Sequence, residues 1–292
     1  MTHLIVNADD FGLTPGVNRA VAELYAAGVV TSATLMARAA ATDEAIGIAR
    51  ATPSLAPGCH VVLVDGEPVL SPLQDIPHLA DPGDGRFHST LIGFVGNLYR
   101  YWPVMTLAPI MHEIEVETAA QIALLQSRGL HLTHIDTHKH THMFPGVLRP
   151  VLRAAKAAGI RVVRNPFEPA WSLRATPDAP LLRRLEVNLL RLLRRKFMQI
   201  VAEEGFSTTD GTIGVLATGA LDTNTLASLL RKLPPGTWEL ITHPGYNDVE
   251  LARTHTRLLA SREIEREALM TLRQLTDVEL TSFACLEESQ GQ

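Results

Sequence analysis

The sequence predicts an α/β protein: a single distorted (β/α) TIM-like barrel over residues 1–292, with an insertion after its third strand. Three observations carry that expectation. Short β-type apolar runs alternate with helical stretches from end to end, the pattern of a parallel sheet with helical crossovers. No internal repeat or low-complexity linker divides the chain, so one domain is the simpler organisation. Polar residues gather just past the predicted strands, where the loops of a βα barrel converge.

The elements follow in order. An apolar run over 4–8 is the first strand, and helical spacing over 17–27 stops at Gly28. Residues 32–36 form a second strand, 42–51 a helix and 59–64 a third strand. Residues 65–103 then break the rhythm with Asp-Pro-Gly-Asp-Gly and an aromatic group of Phe94, Tyr99, Tyr101 and Trp102. So long a stretch is expected to be a lid, a binding loop or a decorated surface loop. A helix over 114–127 ends near Gly129 and leads to a strand over 130–136. Further strands are expected at 160–163, 212–216, 240–242 and 278–283. Between them, 181–204 reads as one long helix carrying Leu182, Leu185, Leu189 and Leu193 beside six basic residues. Such a helix either covers the barrel with a solvated basic face or lies on a membrane surface.

Composition narrows the class. Hydrophobic residues make up 46% and charged residues 20% of 292, as in ordinary globular proteins, and a net charge of −5 leaves no footprint for nucleic acid. Two cysteines, Cys59 and Cys285, exclude a disulfide framework and a cysteine zinc cage. With no signal-like start and no apolar run of transmembrane length, the expectation is a cytoplasmic protein.

The most specific segment is His134-Ile-Asp136-Thr-His138-Lys-His140-Thr-His142, with an ionisable group at every second position. In an extended chain those five share one face. Burying them together is costly unless a metal or a polar substrate compensates. Other polar residues also sit on predicted strands or just past them: Asp9 and Asp10, Arg164 and Asn165, and His243 follow theirs, and His60 lies within the third. Alone, each has a bland reading: Asp-Asp as a helix cap, His60 as a core histidine, His243-Pro-Gly as a turn. Together they describe chemistry. Asp10, His60 and His138 make a two-histidine, one-carboxylate set suited to zinc and also to non-haem iron. A divalent ion there turns water into a nucleophile near neutral pH. Asp9 is then the candidate general base and His243 the general acid. Asp136, His140 and Arg164 are candidates for substrate contact, while His134 and His142 are expected in a supporting layer.

Asn7-Ala8-Asp9-Asp10-Phe11-Gly12, Gly58-Cys59-His60, the histidine run and His243-Pro244-Gly245 together resemble the YdjC-like carbohydrate deacetylases. That resemblance spans most of the chain. It implies a distorted βα barrel and hydrolytic removal of acetyl groups from N-acetylated sugars, with a divalent ion, zinc or magnesium, as cofactor. By the same match Asp10, His60 and His138 are the ligands and Asp9 the base. Lys139 departs from the pattern, standing where many members have a histidine. The stretches 62–68, 84–87, 138–140 and 163–169 resemble the hopanoid-biosynthesis branch, which implies an N-acetylglucosaminyl lipid as substrate. Such a substrate gives the basic helix a use in peripheral membrane contact, and a homodimer is compatible with the sequence. Two rival readings stand beside this one: a metal-free glycosidase using Asp9 and Asp136, and a non-catalytic glycolipid-binding protein.

Overall fold

A computed structural model describes residues 1–72, 74–100, 108–176 and 179–288. Its strands are β1 (Thr2–Phe11), β2 (Ser32–Leu35), β3 (Pro57–Val61), β4 (Ile135–Thr137), β5 (Gly211–Ile213), β6 (Gly236–Thr242) and β7 (Glu279–Thr281). All pair in parallel, in the order β4-β3-β2-β1-β6-β5.

The organising element is β1, whose sequence Leu-Ile-Val is buried on both faces, as a strand under helical crossovers must be. One edge pairs with β6 from Thr2 to Ala8. The other is shared: His3 to Ile5 take β7, and Asn7 to Phe11 take β2. Leu4, Val6 and Ala8 face the main core under the helices, whereas Ile5 packs with Val162 and Phe283 on the opposite side. That second cluster is the apolar floor of the curled sheet's concave side.

The expected strand over 160–163 is reduced to isolated bridges, Ile135 with Val163 and Val162 with Ser207. The sheet curls into a half-barrel, with irregular segments between β4 and β5, an arrangement consistent with a distorted barrel. Two further expectations shift. β4 covers only three residues instead of 130–136, and β3 starts at Pro57 and ends at Val61. The helix expected over 181–204 is two helices, Leu181–Leu190 and Arg194–Glu204, joined by a 3-10 turn at Arg191–Leu193.

After β3 the chain is tied to the Ala108–Ser127 helix. Glu117 accepts from the amides of Val69 and Leu70, and Glu113 from those of His78 and Leu79. Phe94 is buried in the core; Tyr101, Trp102 and the side chain of Tyr99 lie outside the described residues. Among the described residues, no helix is long and apolar enough to cross a membrane.

Candidate active site

Adjacent residues on a strand point to opposite faces, so Asp9 and Asp10 should not share a pocket. They do, because β1 is bulged. From Ala8 to Phe11 it advances three residues while β2 advances two, from Ala33 to Leu35, and Asp10 takes a left-handed φ of 60°. A non-glycine residue held there stores about 1–3 kcal/mol, strain of the kind concentrated at functional sites. The bulge turns both carboxylates into the mouth of the barrel.

His60 enters from β3, and His138 from the first residue past β4. Asp10 Oδ1 lies 3.5 Å from His60 Nε2 and 3.2 Å from His138 Nδ1, and the two histidine nitrogens are 3.3 Å apart. These separations match the ~3.3 Å edges of a tetrahedron whose metal–ligand bonds are about 2.0–2.1 Å. Asp10 Oδ1 is buried and accepts no hydrogen bond. The donor set and this orphaned oxygen fit a divalent ion.

The surroundings support the same set. His60 donates Nδ1–H to Asp136 Oδ1 at 2.7 Å, which leaves Nε2 as its free ligand atom. Burial opposes a charge on His60, but Asp136, Asp10 and Asp9 outweigh it and push its pKa up to about 10. A proton and a metal ion therefore compete for one position. Burial likewise opposes the charge on Asp10, yet Arg262, with Nη2 2.5 Å from Asp10 Oδ2, and the two histidines hold its pKa well below the usual range.

A second grouping, Asp9, His60 and Asp136, also brings ligand atoms together. It fits less well, because two of its members are committed elsewhere. Arg164, wholly buried, binds Asp9 through two nitrogens at 2.6 and 2.8 Å, Glu239 at 2.6 Å, and Asp136. Asp9 also accepts from Asn7 Nδ2 at 2.8 Å and Thr34 Oγ1 at 3.1 Å. Burial raises the pKa of Asp9, but Arg164 and then His60 overcome this and hold it far below the ordinary value. Four buried carboxylates, Asp9, Asp10, Asp136 and Glu239, thus face two guanidiniums, Arg164 and Arg262. His60 adds a third positive charge whenever its ring holds a proton, and burial pushes Glu239 up to about 7, so a metal ion at His60 would take the place of that proton.

His243 sits past β6, its Nε2 3.9 Å from Asp9 Oδ2, its backbone N–H donating to Glu265 Oε1 at 2.9 Å. Burial lowers its pKa to about 4 against the pull of Asp9 and Asp10, so the ring is neutral at physiological pH. Glu265 is pushed up to about 8 by burial.

The histidine run is not extended throughout. His134 and Asp136 do share the inner side, but the chain turns into a 3-10 helix at His138–Met143, with Lys139 and His140 at positive φ. His134 stacks on Phe283 in the floor, its ring filling the space where a Cβ on Gly58 would sit. His142 bonds Thr137 Oγ1 through Nδ1 and the Arg164 carbonyl through Nε2. His140 has a buried Nδ1 without a hydrogen-bond partner and lies within electrostatic reach of Asp9 and His243. Lys139 bonds Asp65 at 2.6 Å, and His255 takes the other oxygen of Asp65 at 2.7 Å, clasping three loops at the rim.

Asp136 and Arg164, expected at the substrate, are both fully buried, Asp136 against His60 and Arg164 against Asp9. Arg262, Glu239 and Thr34 were not anticipated. Glu239 left a signal, a lone acid inside the apolar strand Trp-Glu-Leu-Ile. Arg262 lies in a polar helix 252 residues from Asp10 and left none.

Fold and site together define a βα protein with a two-histidine, one-carboxylate centre at the carboxyl ends of its strands. More particularly, the chain belongs to the YdjC-like family, whose model matches residues 3–279. A carbohydrate deacetylase of Thermoanaerobacter pseudethanolicus is 28% identical over 92% of this chain and 91% of its own length. A mouse carbohydrate deacetylase is 31% identical over 84% and 79%. One from Brevibacillus brevis is 42% identical over 52% of this chain and 55% of its own. The crystal structure of an Enterococcus faecalis protein, provisionally named for cellobiose-phosphate cleavage, superposes with a TM-score of 0.74, covering 98% of each chain at 24% identity. That likeness concerns the fold.

Proposed function

We propose that this chain is a metal-dependent carbohydrate N-deacetylase, a hydrolase of amide carbon–nitrogen bonds acting on an N-acetylglucosamine-type sugar. The carrying observation is the convergence of Asp10, His60 and His138 around an orphaned carboxylate oxygen, with Asp9 and His243 alongside. Asp10, His60 and His138 would hold a zinc or magnesium ion. Once bound, such an ion supplies Lewis acidity toward the acetamide carbonyl and lowers the pKa of water toward neutrality.

The chain's own residues do the rest. Asp9, locked in orientation by Arg164, Asn7 and Thr34, receives the proton of the attacking water. Its low pKa makes it a weak base that releases that proton readily. His243, neutral at rest and 3.9 Å away, can take the proton up and deliver it to the departing amine. His140, with its unpartnered Nδ1, is the candidate for contact with a sugar hydroxyl. The chain forms one domain in this reading, and the insertion after β3 shapes the mouth through the clasp of Asp65 on Lys139 and His255.

The finer reading, an N-acetylglucosaminyl hopanoid as the lipid-borne substrate, rests on the short motifs quoted above. One of their residues, Glu168, has an internal duty, accepting from Ser172 and from the amides of Gly214 and Leu216. The metal-free glycosidase is disfavoured, since Asp136 is sealed beneath His60 and cannot reach a glycosidic bond.

The test is acetate release from a panel of N-acetylated oligosaccharides and glycolipids, with chelator and with metal restored. Asp10→Asn and His138→Ala should each lose metal binding and at least ~10³-fold in rate, the scale of several kcal/mol of Lewis-acid stabilisation. Their melting curves should stay cooperative. Undiminished turnover in either variant removes the site assignment.

A further inference from the structure

We propose that the Leu181–Leu190 helix and the turn following it form a docking surface for an anionic lipid bilayer. Leu181, Leu182, Leu185, Leu189 and Leu192 are 66–80% exposed, and Val187 is the one buried residue described for that helix. At about 100° per residue the four helical leucines fall within one arc of roughly 100°, and Val187 lies opposite. The apolar stripe is thus turned outward, and a contiguous exposed patch of this kind marks an interaction surface.

Charge selects the occupant. Residues 181–196 carry six basic side chains and one acid, Glu186, a local +5 in a chain whose total is −5. Arg184 is spent inside, donating to the carbonyls of Leu173, Thr176 and Ala179. Arg194, Arg195 and Lys196 are exposed beside the stripe. Leucines that enter the acyl boundary beside cations that meet anionic headgroups are the makeup of an interfacial helix. A second copy of the chain would set +5 against +5 across the same face.

Its place in the fold adds a reason. Val187 packs on Leu173 and Leu216, and Arg183 Nη2 donates to the carbonyl of Val215. Val215 and Leu216 lie just past the carboxyl end of β5, so the surface sits at the same end of the barrel as the metal-ligand set. Docking there would bring that end toward the bilayer.

The proposal does not rest on the substrate assignment, because it is tested without substrate. The intact chain is floated with vesicles of phosphatidylcholine alone and of phosphatidylcholine with phosphatidylglycerol. Flotation is expected with the anionic vesicles, weakening as salt is added. Leu185→Glu with Leu189→Glu should lower vesicle affinity roughly tenfold or more. The same double variant should keep its circular dichroism spectrum and its midpoint in urea denaturation. The proposal is overturned by absent flotation, by equal flotation with neutral vesicles, or by an unchanged double variant. It is overturned too by a vesicle-inert dimer that the double variant dissociates in sedimentation equilibrium.

Discussion

The barrel mouth and the Leu181–Leu190 helix invert the usual partition of side chains in opposite senses. At the mouth, four carboxylates and two guanidiniums are withdrawn from water. On the helix, leucines are left in it. Both break the rule of apolar inside and charged outside, and such exceptions are informative in a way that an ordinary core is not. The mouth solves its desolvation problem internally, by pairing Arg164 with three acids and Arg262 with one. The helix has no internal solution: among the described residues nothing of this chain covers its outer stripe. A buried exception therefore points to chemistry held within the molecule, and an exposed one to a partner outside it.

The largest expected effect lies at the mouth. Arg164→Met removes the cation shared by Asp9, Asp136 and Glu239 and leaves His60 as the main positive charge beside them. Breaking a buried ion pair in this way costs about 3–5 kcal/mol, so urea denaturation should shift to a much lower midpoint. A variant as stable as the parent would mean the mouth is less desolvated than its burial indicates.

Below that comes His142, buried under the mouth. Burial, and then Arg164, lower its pKa from 6.5 to about 3. A histidine whose folded pKa is depressed favours folding while it is neutral. Its contribution is present above pH 6.5 and is lost progressively as pH falls toward 3. Stability followed by denaturant titration should decline across that window, and His142→Gln should flatten the decline. An unchanged acid limb would assign the loss to other groups.

The smallest effect belongs to the helix. Leu185→Glu should alter folding free energy by no more than ~0.5 kcal/mol, as surface substitutions do, because its side chain packs against little. A loss of more than a kilocalorie would show the stripe to be part of the core and dissolve the contrast.

Much of the site was legible one strand at a time. Asp9, Asp10, His138 and His243 each come at the end of a predicted strand and His60 lies within one, and the fold gathers them. The alternation of His134, Asp136 and His138 also holds, as successive levels of one face. It fails at Lys139 because two positive-φ residues coil the backbone, and no local composition announces that turn. The burial of Asp136 and Arg164 was equally hidden. An ion pair between residues far apart in sequence has no local signature, and its members look like rim residues until the sheet curls.

The sequence by itself determined the alternation of strands and helices, the family, and which strand ends carry donors, since these follow from local periodicity and residue type. Only the tertiary structure decided which donors meet. The bulge at Asp10 aims two adjacent carboxylates into one pocket, Asp136 selects the free nitrogen of His60, and Arg262 arrives from the far end of the chain. Those outcomes depend on register, curvature and long-range charge compensation, which exist only once the strands are side by side.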